Sequence, residues 1–526
     1  MTEYKLTYAS MFDPPEELHT RFEEALAEVK ANQLGKTHGM MINNLDVYSE
    51  STFENRSPIN HDWLLAHIQA GTEEHADQAI AAARAAFPAW SATDWKERVR
   101  IVRRAADIIE ERLFTMGVVT SLNVGKTRME SLADVQEGAD LMRSACDYLE
   151  ANNGYLVQQG SEPLAGFKVT NYSVMKPYGV WLVISPFNFP VALTCAPSGA
   201  ALVAGNTIVT KPSPETSWIL RMLAECFRDA GLPNGVFNFV SGEDDELGKT
   251  LVNHADVDGV TFTGSHKVGM EIYRKFAQRD YPRPVVLEMG GKNATIVSRH
   301  ADLDHAALGI VRAAFGTAGQ KCSCTSRVYV ETEVHDELVA LVKRYTEDLR
   351  VGDPTRREVY VGPMINEVAY QSFQKYCGEL ADDGEILTGG VSLHDGERQH
   401  GLYCAPTIVT DVPLDHRLWT TEMFVPVLMV GKVESLEQAM QLTNNTVYGL
   451  TGGFFGSPEE TQWYFSQIQV GTSYANRMHG ASTGAWPGYQ SFGGWKGSGA
   501  MGRGAGGPYY ILSYLQEQSQ TIVEPA

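Results

Sequence analysis

A cysteine preceded by glycines is the first candidate for chemistry in this chain of 526 residues. Cys322 follows the glycine-containing segment 316–321, which comes after a stretch with helical apolar spacing (302–315) and before an apolar run typical of a strand (327–330). We therefore expect Cys322 on a tight loop between a helix and a strand. The nucleophile is the thiolate, and an isolated cysteine is more often a small buried apolar residue. Other polar residues must therefore support a catalytic assignment.

Composition excludes several classes of protein. The formal net charge of −21 disfavours a nucleic-acid surface. Seven scattered cysteines without a CxxC pair favour reduced thiols in a cytoplasmic protein over a disulfide framework, and they give no metal motif. The start of the chain lacks the pattern of a signal peptide. The uncharged stretch 177–210 is interrupted by prolines and asparagines, so we expect buried strands and a helix there and no contact with a membrane.

The elements that must position the thiol follow an α/β pattern. From about residue 178, short β-branched runs alternate with helical segments, which predicts a doubly wound parallel sheet covered on both faces. A second α/β block covers about 290–470, and the length of the chain itself requires more than one core. Doubly wound sheets bind ligands at the carboxyl ends of their strands.

Polar residues stand at those predicted strand ends. The Asn188 amide can donate to a developing oxyanion, and the Lys211 ammonium can meet a ribose or a phosphate. Gly264 and Ser265 open a helix whose N–H groups can bind a phosphate, and Glu288 places a carboxylate beside glycines. Each residue alone also fits an ordinary turn or strand end, but their order on this topology favours a site.

With these motifs the chain resembles the aldehyde dehydrogenase superfamily over nearly its whole length. The resemblance rests on the segments 186–190 (PFNFP), 211–213 (KPS), 262–265 (FTGS), 287–292 (LEMGGK), 319–322 (GQKC) and 422–424 (EMF). It implies Cys322 as the nucleophile that forms a thioester, Asn188 as the oxyanion donor and Glu288 as the general base. The cofactor-binding residues that it implies are Ser185, Pro186, Lys211, Ser213, Gly264, Ser265, Gly269, Glu422 and Phe424.

A finer resemblance is to the 1-pyrroline-5-carboxylate (glutamate semialdehyde) dehydrogenases, carried by the segments 321–323, 483–485, 490–494 and 505–509. It implies that Ser323, Gly484 and Ala485 hold the α-carboxylate of the substrate and that Phe189 and Phe492 pack on its stem. Three extra residues before 483 leave two alternatives open: the same chemistry on another aliphatic, aromatic or semialdehyde substrate, or a catalytically silent binding protein. Retention of the cysteine, asparagine and glutamate disfavours the silent alternative.

The cofactor and the assembly are also expectations from the resemblance. Pro214 stands where relatives that prefer NAD often carry a ribose-binding glutamate, and Glu215 comes one residue later. We expect NAD, with NADP not excluded. The expected domains are an NAD(P)-binding domain (1–160 and 178–288), a catalytic domain (289–499) and a β arm (161–177 and 500–526). A strand is predicted at 508–515. The strand-like runs 167–174 and 509–513 would pair between subunits as the family's arms do, which predicts a homodimer or a larger homo-oligomer.

Overall fold

A computed structural model describes residues 4–242, 244–478, 485–500 and 502–526, with only the backbone of residues 244 and 245. The α-helices of these residues are α1 (Glu16–Asn32), α2 (Glu73–Ala92), α3 (Trp95–Glu111), α4 (Leu113–Val124), α5 (Arg128–Ala151), α6 (Ala192–Ala204), α7 (Ser217–Asp229), α8 (Lys249–Asn253), α9 (His266–Ala277), α10 (Leu303–Phe315), α11 (His335–Glu347), α12 (Glu367–Asp383), α13 (Leu436–Asn444) and α14 (Pro458–Gln467).

The β-strands of the same residues are β1 (Lys36–His38), β2 (Met40–Ile42), β3 (Leu45–Val47), β4 (Thr52–Arg56), β5 (Leu64–Gln69), β6 (Leu156–Gln159), β7 (Phe167–Pro177), β8 (Val180–Ser185), β9 (Thr207–Pro212), β10 (Phe237–Phe239), β11 (Gly259–Thr263), β12 (Val285–Glu288), β13 (Asn293–Val297), β14 (Thr325–Glu331), β15 (Glu385–Thr388), β16 (Ser392–Leu393), β17 (Tyr403–Cys404), β18 (Thr407–Thr410), β19 (Val427–Val433), β20 (Tyr448–Gly449), β21 (Thr451–Phe455), β22 (Thr472–Ala475), β23 (Trp495–Lys496), β24 (Gly499–Ala500) and β25 (Leu515–Pro525).

The first large sheet has the strand order β24-β12-β11-β8-β9-β10-β2-β3, and its strands from β12 to β10 run parallel. Alternate residues of β8 lie in two different cores, one on each face of the sheet. Trp181 and Val183 belong to the core that includes α6, and Val180 and Leu182 belong to the core that includes α2. Because the chain adds strands on opposite sides of β8, the carboxyl ends of β8 and β11 border the crevice where such sheets bind ligands. The predicted doubly wound sheet is confirmed.

The second large sheet has the order β15-β18-β19-β14-β13-β21-β22 and is parallel except for β15. Its core packs α10 against β13 and β14 through residues such as Ile296, Ile310 and Val328. Only the segment 289–292 separates β12 of the first sheet from β13 of the second. The two sheets therefore meet beside Glu288, which is the last residue of β12.

The third sheet joins β6, β7 and β25, and β7 pairs with β25 over eleven residues. The strand predicted at 508–515 is wrong. Residues Tyr510–Tyr514 form a buried 3₁₀-helix, and the strand begins only at Leu515. The physical reason is packing, since Tyr514 lies 4.5 Å from the Trp181 ring and donates to the Tyr510 hydroxyl at 2.9 Å. The arm sheet therefore comprises 156–159, 167–177 and 515–525, and the domain boundaries given above remain a proposal.

The uncharged stretch 177–210 forms β8, α6 and most of β9, and most of its residues are buried in the two cores on either side of the first sheet. No helix in the part of the chain that the structure describes combines the length and the apolar character of a membrane-spanning helix.

Candidate active site

The loop that carries Cys322 turns sharply between α10 and β14. Thr317, Ala318 and Gly319 all have positive φ angles, of 51°, 52° and 72°. Gly319 has no room for a side chain, because a Cβ atom would lie 2.4 Å from the Val425 carbonyl oxygen. Two non-glycine residues in the left-handed region cost conformational energy, which is typical of loops whose geometry serves a function. The tight loop predicted from the sequence is therefore present.

Two amide side chains hold this loop in place, Gln320 from within it and Asn188 from outside. Gln320 Nε2 donates to the carbonyls of Thr317 (3.2 Å) and Pro363 (3.3 Å), and Gln320 Oε1 accepts from the Ile365 N–H at 2.9 Å. Asn188 is 3% exposed, and its Nδ2 donates to the Gln320 carbonyl at 3.0 Å. An amide nitrogen carries two N–H donors, so the second N–H of Asn188 remains for the oxyanion role predicted from the sequence.

Glu288 is buried at the end of β12, and its Oε2 accepts no hydrogen bond from the described residues. Burial raises the pKa of Glu288 to about 8, because the charged form loses its hydration. Glu288 and Cys322 line the same cavity. A carboxyl group with a pKa near neutrality and an unpartnered oxygen has the properties of a general base.

The Cys322 thiol has its pKa raised well above the usual range. Burial is the main cause, and the nearby carboxyl groups of Glu422 and Glu288 add to it, while the Ser323 N–H opposes it. This environment therefore favours the protonated form of the thiol. Its ionisation requires a proton acceptor or a positive charge in the cavity.

The cavity next to Cys322 has a volume of about 540 Å³ and extends from the carboxyl ends of β8 and β11 to the thiol. Eight predicted cofactor residues line it: Ser185, Pro186, Lys211, Ser213, Gly264, Ser265, Glu422 and Phe424. Gly269 lies within α9, its N–H donates to the Ser265 carbonyl at 3.0 Å, and a Cβ atom there would lie 2.5 Å from Met289 Sδ. Gly269 does not line the cavity, so its cofactor contact stays a prediction.

The two ends of this cavity fit different parts of a dinucleotide. At one end, α9 begins after Ser265, whose side chain accepts from the Val268 N–H at 3.3 Å and leaves the first N–H groups for a phosphate. At the other end, Glu422 Oε1 accepts from the Gly291 N–H at 2.8 Å, and burial raises the pKa of Glu422 to about 7. The Phe424 ring stands edge-to-face to Phe187 with centroids 6.0 Å apart.

Glu215 does not reach this cavity. Its Oε1 accepts from Asn366 Nδ2 at 2.9 Å, and its Oε2 accepts from the Ser213 hydroxyl. The adjacent Pro214 has no polar side chain to offer a ribose. Neither Pro214 nor Glu215 therefore offers the larger cavity the ribose-binding carboxylate that relatives preferring NAD often carry.

A smaller cavity of about 70 Å³ lies on the other side of the thiol. Four predicted substrate residues line it: Phe189, Ser323, Ala485 and Phe492. Gly484 lies outside the described residues. Sequence reasoning missed Tyr8, Glu137, Lys321 and Trp486, which also line this cavity. Cys322 lines both cavities, so the sulfur stands at their boundary.

A thiol between a dinucleotide-sized cavity and a small acyl-sized cavity, with a buried carboxyl group beside it, is the site of a cysteine-dependent oxidoreductase. The sequence matches the aldehyde dehydrogenase family over residues 47–520, and the chain belongs to that family. It is 35% identical over 504 residues to 1-pyrroline-5-carboxylate dehydrogenase 1 of Halalkalibacterium halodurans, with 95% of each chain covered.

Two solved structures extend the comparison. A 1-pyrroline-5-carboxylate dehydrogenase from Thermus with bound NAD matches with a TM-score of 0.91 and 30% identity over 100% of both chains. Proline utilization A from Bdellovibrio bacteriovorus matches with a TM-score of 0.90 and 33% identity over 97% of this chain. The chain spans 52% of that longer protein.

Proposed function

We propose that the protein oxidises L-glutamate γ-semialdehyde, the open form of 1-pyrroline-5-carboxylate, to glutamate with NAD as the cofactor. The observation that carries the proposal is the place of Cys322 at the boundary of the two cavities. The relatives named above support the substrate, and the bound NAD of the Thermus protein supports the cofactor.

The reaction begins at the sulfur. The Cys322 thiol loses its proton to water, the thiolate attacks the aldehyde carbon, a C–S bond forms, and the carbonyl oxygen becomes an oxyanion. Asn188 Nδ2 and the Cys322 N–H donate to that oxygen, and removing one such donor costs roughly 10²–10³ in rate. A nicotinamide dinucleotide held in the larger cavity by residues such as Lys211, Ser265 and Glu422 would accept the aldehyde hydrogen as a hydride. The C–H bond breaks, the C=O bond forms again, and a thioester remains on Cys322.

Glu288 then completes the turnover. Its carboxylate takes a proton from a water molecule, the resulting hydroxide attacks the thioester carbon, and the C–S bond breaks. Glutamate leaves and the Cys322 sulfur is regenerated. Hydrolysis by this base distinguishes the proposed reaction from acyl transfer to a second thiol.

The substrate is held on the smaller side of the sulfur. Ser323 is adjacent to the nucleophile, and Phe189 and Phe492 supply apolar surface for the two methylene groups of the substrate. Lys321 adds a positive charge that is offset by Glu130 at 4.0 Å. Donors for a carboxylate at the far end of this cavity would fix the aldehyde end at the sulfur, which is the entropic advantage of a positioned substrate.

The test is a comparison of aldehydes and cofactors. We expect NADH formation with glutamate semialdehyde at a kcat/KM far above that with propanal or benzaldehyde. NADPH formation should be slower than NADH formation. The NADPH measurement is necessary because Glu215 is turned toward Asn366 and does not line the cofactor cavity. Cys322→Ala should abolish activity, whereas Cys377→Ala, a buried cysteine far along the chain, should retain it. Faster turnover of the simple aldehydes would contradict the proposed substrate, and an active Cys322→Ala variant would contradict the chemistry.

We also propose a cytoplasmic homo-oligomer. All seven cysteines are unpaired, which supports a reducing compartment. The arm sheet exposes apolar side chains, among them Phe167, Ile522 and Val523, which supports contact with another copy of the chain.

A further inference from the structure

The face of the first sheet behind Glu288 carries a pair of buried tyrosines. Val286 and Glu288 stand two positions apart in β12, so their side chains leave the strand on the same face. Val286 belongs to the core that includes Tyr510 and Tyr514, whereas Leu287 belongs to the core on the opposite face. The Glu288 side chain therefore lies on the side of the two tyrosines, although the mechanism above gives them no role.

The tyrosine hydroxyls form a chain with Thr261 of β11. The Tyr514 hydroxyl donates to the Tyr510 hydroxyl at 2.9 Å, and it lies 3.1 Å from Thr261 Oγ1. All three residues are buried. A hydroxyl group has one hydrogen to donate, so Thr261 is the donor to Tyr514. The hydrogen of the Tyr510 hydroxyl has no acceptor among the residues that the structure describes.

The Glu288 carboxyl group lies close to this chain. Thr261 pairs with Val286 across β11 and β12, two residues before Glu288, which corresponds to roughly 7 Å along the strand. Burial is the main cause of the raised pKa of Tyr510 and of Tyr514, and the charge of Glu288 adds to both. A buried donor without an acceptor thus stands near Glu288 Oε2, a buried acceptor without a donor among the described residues. Unpaired buried groups cost free energy, which a hydrogen bond between them would recover.

We propose that Tyr510 is a positioning residue for the general base: its hydroxyl donates to one carboxylate oxygen of Glu288 while the other oxygen takes the proton from water. The Glu288 side chain turns toward Tyr510 to make this bond, and Tyr514 fixes the direction of the hydroxyl. The inference rests on the proposed function, because it assumes hydrolysis of a thioester by Glu288. A hydrogen bond to the charged form of a carboxyl group favours that form, so the base stays ionised at a lower pH than burial alone allows.

The other polar groups around Glu288 and Tyr510 lie on several elements. The titratable and charged side chains that share the larger cavity with Glu288 are Cys322, Glu422, Lys211, Lys249, Glu271 and Lys275. From α5, Ser144 and Tyr148 line a cavity of about 10 Å³ together with Tyr510, and α6 contributes the apolar Ala196 there. None of these described side chains donates to Glu288 Oε2. Tyr510 is therefore the donor that the buried side of the sheet offers to the base.

The experiment separates thioester formation from hydrolysis across a range of pH. NADH formation in a single turnover reports the first step, and rapid-quench release of glutamate reports the second. Tyr510→Phe should leave the first step within about two-fold, because the ring stays in the core. Its hydrolysis should need a pH about one unit higher, or about ten-fold less rate below the midpoint, since one hydrogen bond to a charged group is removed. Tyr514→Phe should shift the same midpoint by less, because Tyr510 keeps its hydroxyl.

Tyr403→Phe is the matched control, because Tyr403 is a buried tyrosine whose hydroxyl donates to the Ile59 carbonyl at 3.1 Å and which lines neither cavity beside Cys322. Its pH profile should match that of the wild type. An unchanged midpoint in Tyr510→Phe would overturn the inference, as would losses of the same size in both steps at every pH, which a merely structural role predicts. A wild type that forms no NADH from glutamate semialdehyde would instead refute the proposed function. If Tyr510→Phe folds poorly, the midpoint of Tyr514→Phe decides.

Discussion

Asn293 Nδ2 donates to the main-chain carbonyl of Cys322 at 2.7 Å and to that of Cys324 at 2.8 Å. The same side chain accepts from the Thr451 N–H at 3.0 Å, and it is 3% exposed. Gly291 leaves the space for this arrangement, since a Cβ atom there would lie 2.6 Å from the Cys322 carbonyl oxygen. Strand β13 of the second sheet thus fixes the loop that carries the proposed nucleophile.

Asn293→Ala should therefore lower kcat by about 10–100-fold, because the thiol and the Cys322 N–H lose their fixed position. The free energy of unfolding should fall by about 1–3 kcal/mol, the cost of leaving buried backbone groups unpaired. Steady-state rates and urea unfolding measure the two effects. Asn171→Ala removes exposed side-chain bonds to the Gly160 carbonyl and the Thr521 hydroxyl in the arm and should change neither. A fully active Asn293→Ala variant would contradict the positioning role.

Glu288→Gln should separate the two halves of the reaction. The thioester still forms, so a burst of NADH equal to the enzyme concentration is expected. The steady-state rate should drop by about 10²–10⁴, the usual contribution of a general base. A steady-state rate equal to that of the wild type would show that Glu288 is not the base. Pre-steady-state absorbance at a high enzyme concentration makes the measurement.

The pKa of about 8 for Glu288 also predicts two pH dependences. A general base works in its ionised form, so wild-type hydrolysis should increase as the pH rises toward about 8, and the Gln variant should lack this increase. For stability the sign is opposite. A raised carboxyl pKa means that the folded state binds the proton more tightly, so the wild type loses stability as the pH rises from 4.5 through about 8. The melting temperature of Glu288→Gln should exceed that of the wild type more at pH 9 than at pH 5.

The strand ends and their polar residues could be predicted from the sequence because both depend on local patterns. The alternation of short apolar runs and helices located β8, β9, β11 and β12, and Asn188 and Glu288 lie where those runs stop. Contacts between distant segments could not be predicted in this way. The hydrogen bond between Tyr8 and Glu137 joins residues 129 positions apart. Asn293 directly follows the motif 287–292, but nothing in the sequence shows that its side chain bonds to the Cys322 loop. The apolar spacing of Tyr510–Tyr514 fits a strand or a short helix equally well, and only packing on Trp181 decides between them.

Gly290→Ala should weaken cofactor binding. A Cβ atom at this position would lie 2.0 Å from Glu422 Oε2, so the carboxylate must move from its place beside the Gly291 N–H. We expect the Kd for NAD to rise about ten-fold, equivalent to one lost hydrogen bond to a charged group. Gly378→Ala is the matched control, because nothing lies within 4 Å of its added Cβ in α12. Titration calorimetry measures both, and an unchanged Kd in Gly290→Ala would contradict the assigned role of Glu422.

The arm should mediate assembly, and Val523→Asp should disrupt it. β25 is an edge strand of the three-stranded sheet, and most of its residues are exposed on both faces, so its backbone groups and apolar side chains are open to another chain. Val523 is 50% exposed there. A charge at this position opposes burial, so sedimentation should show a smaller species than the wild-type oligomer, with unchanged helix content by circular dichroism.

Val391→Asp places the same charge at a 56% exposed valine outside the arm and should leave the oligomer intact. A monomeric wild type, or a Val523→Asp variant that sediments like the wild type, would show that β25 does not form the contact.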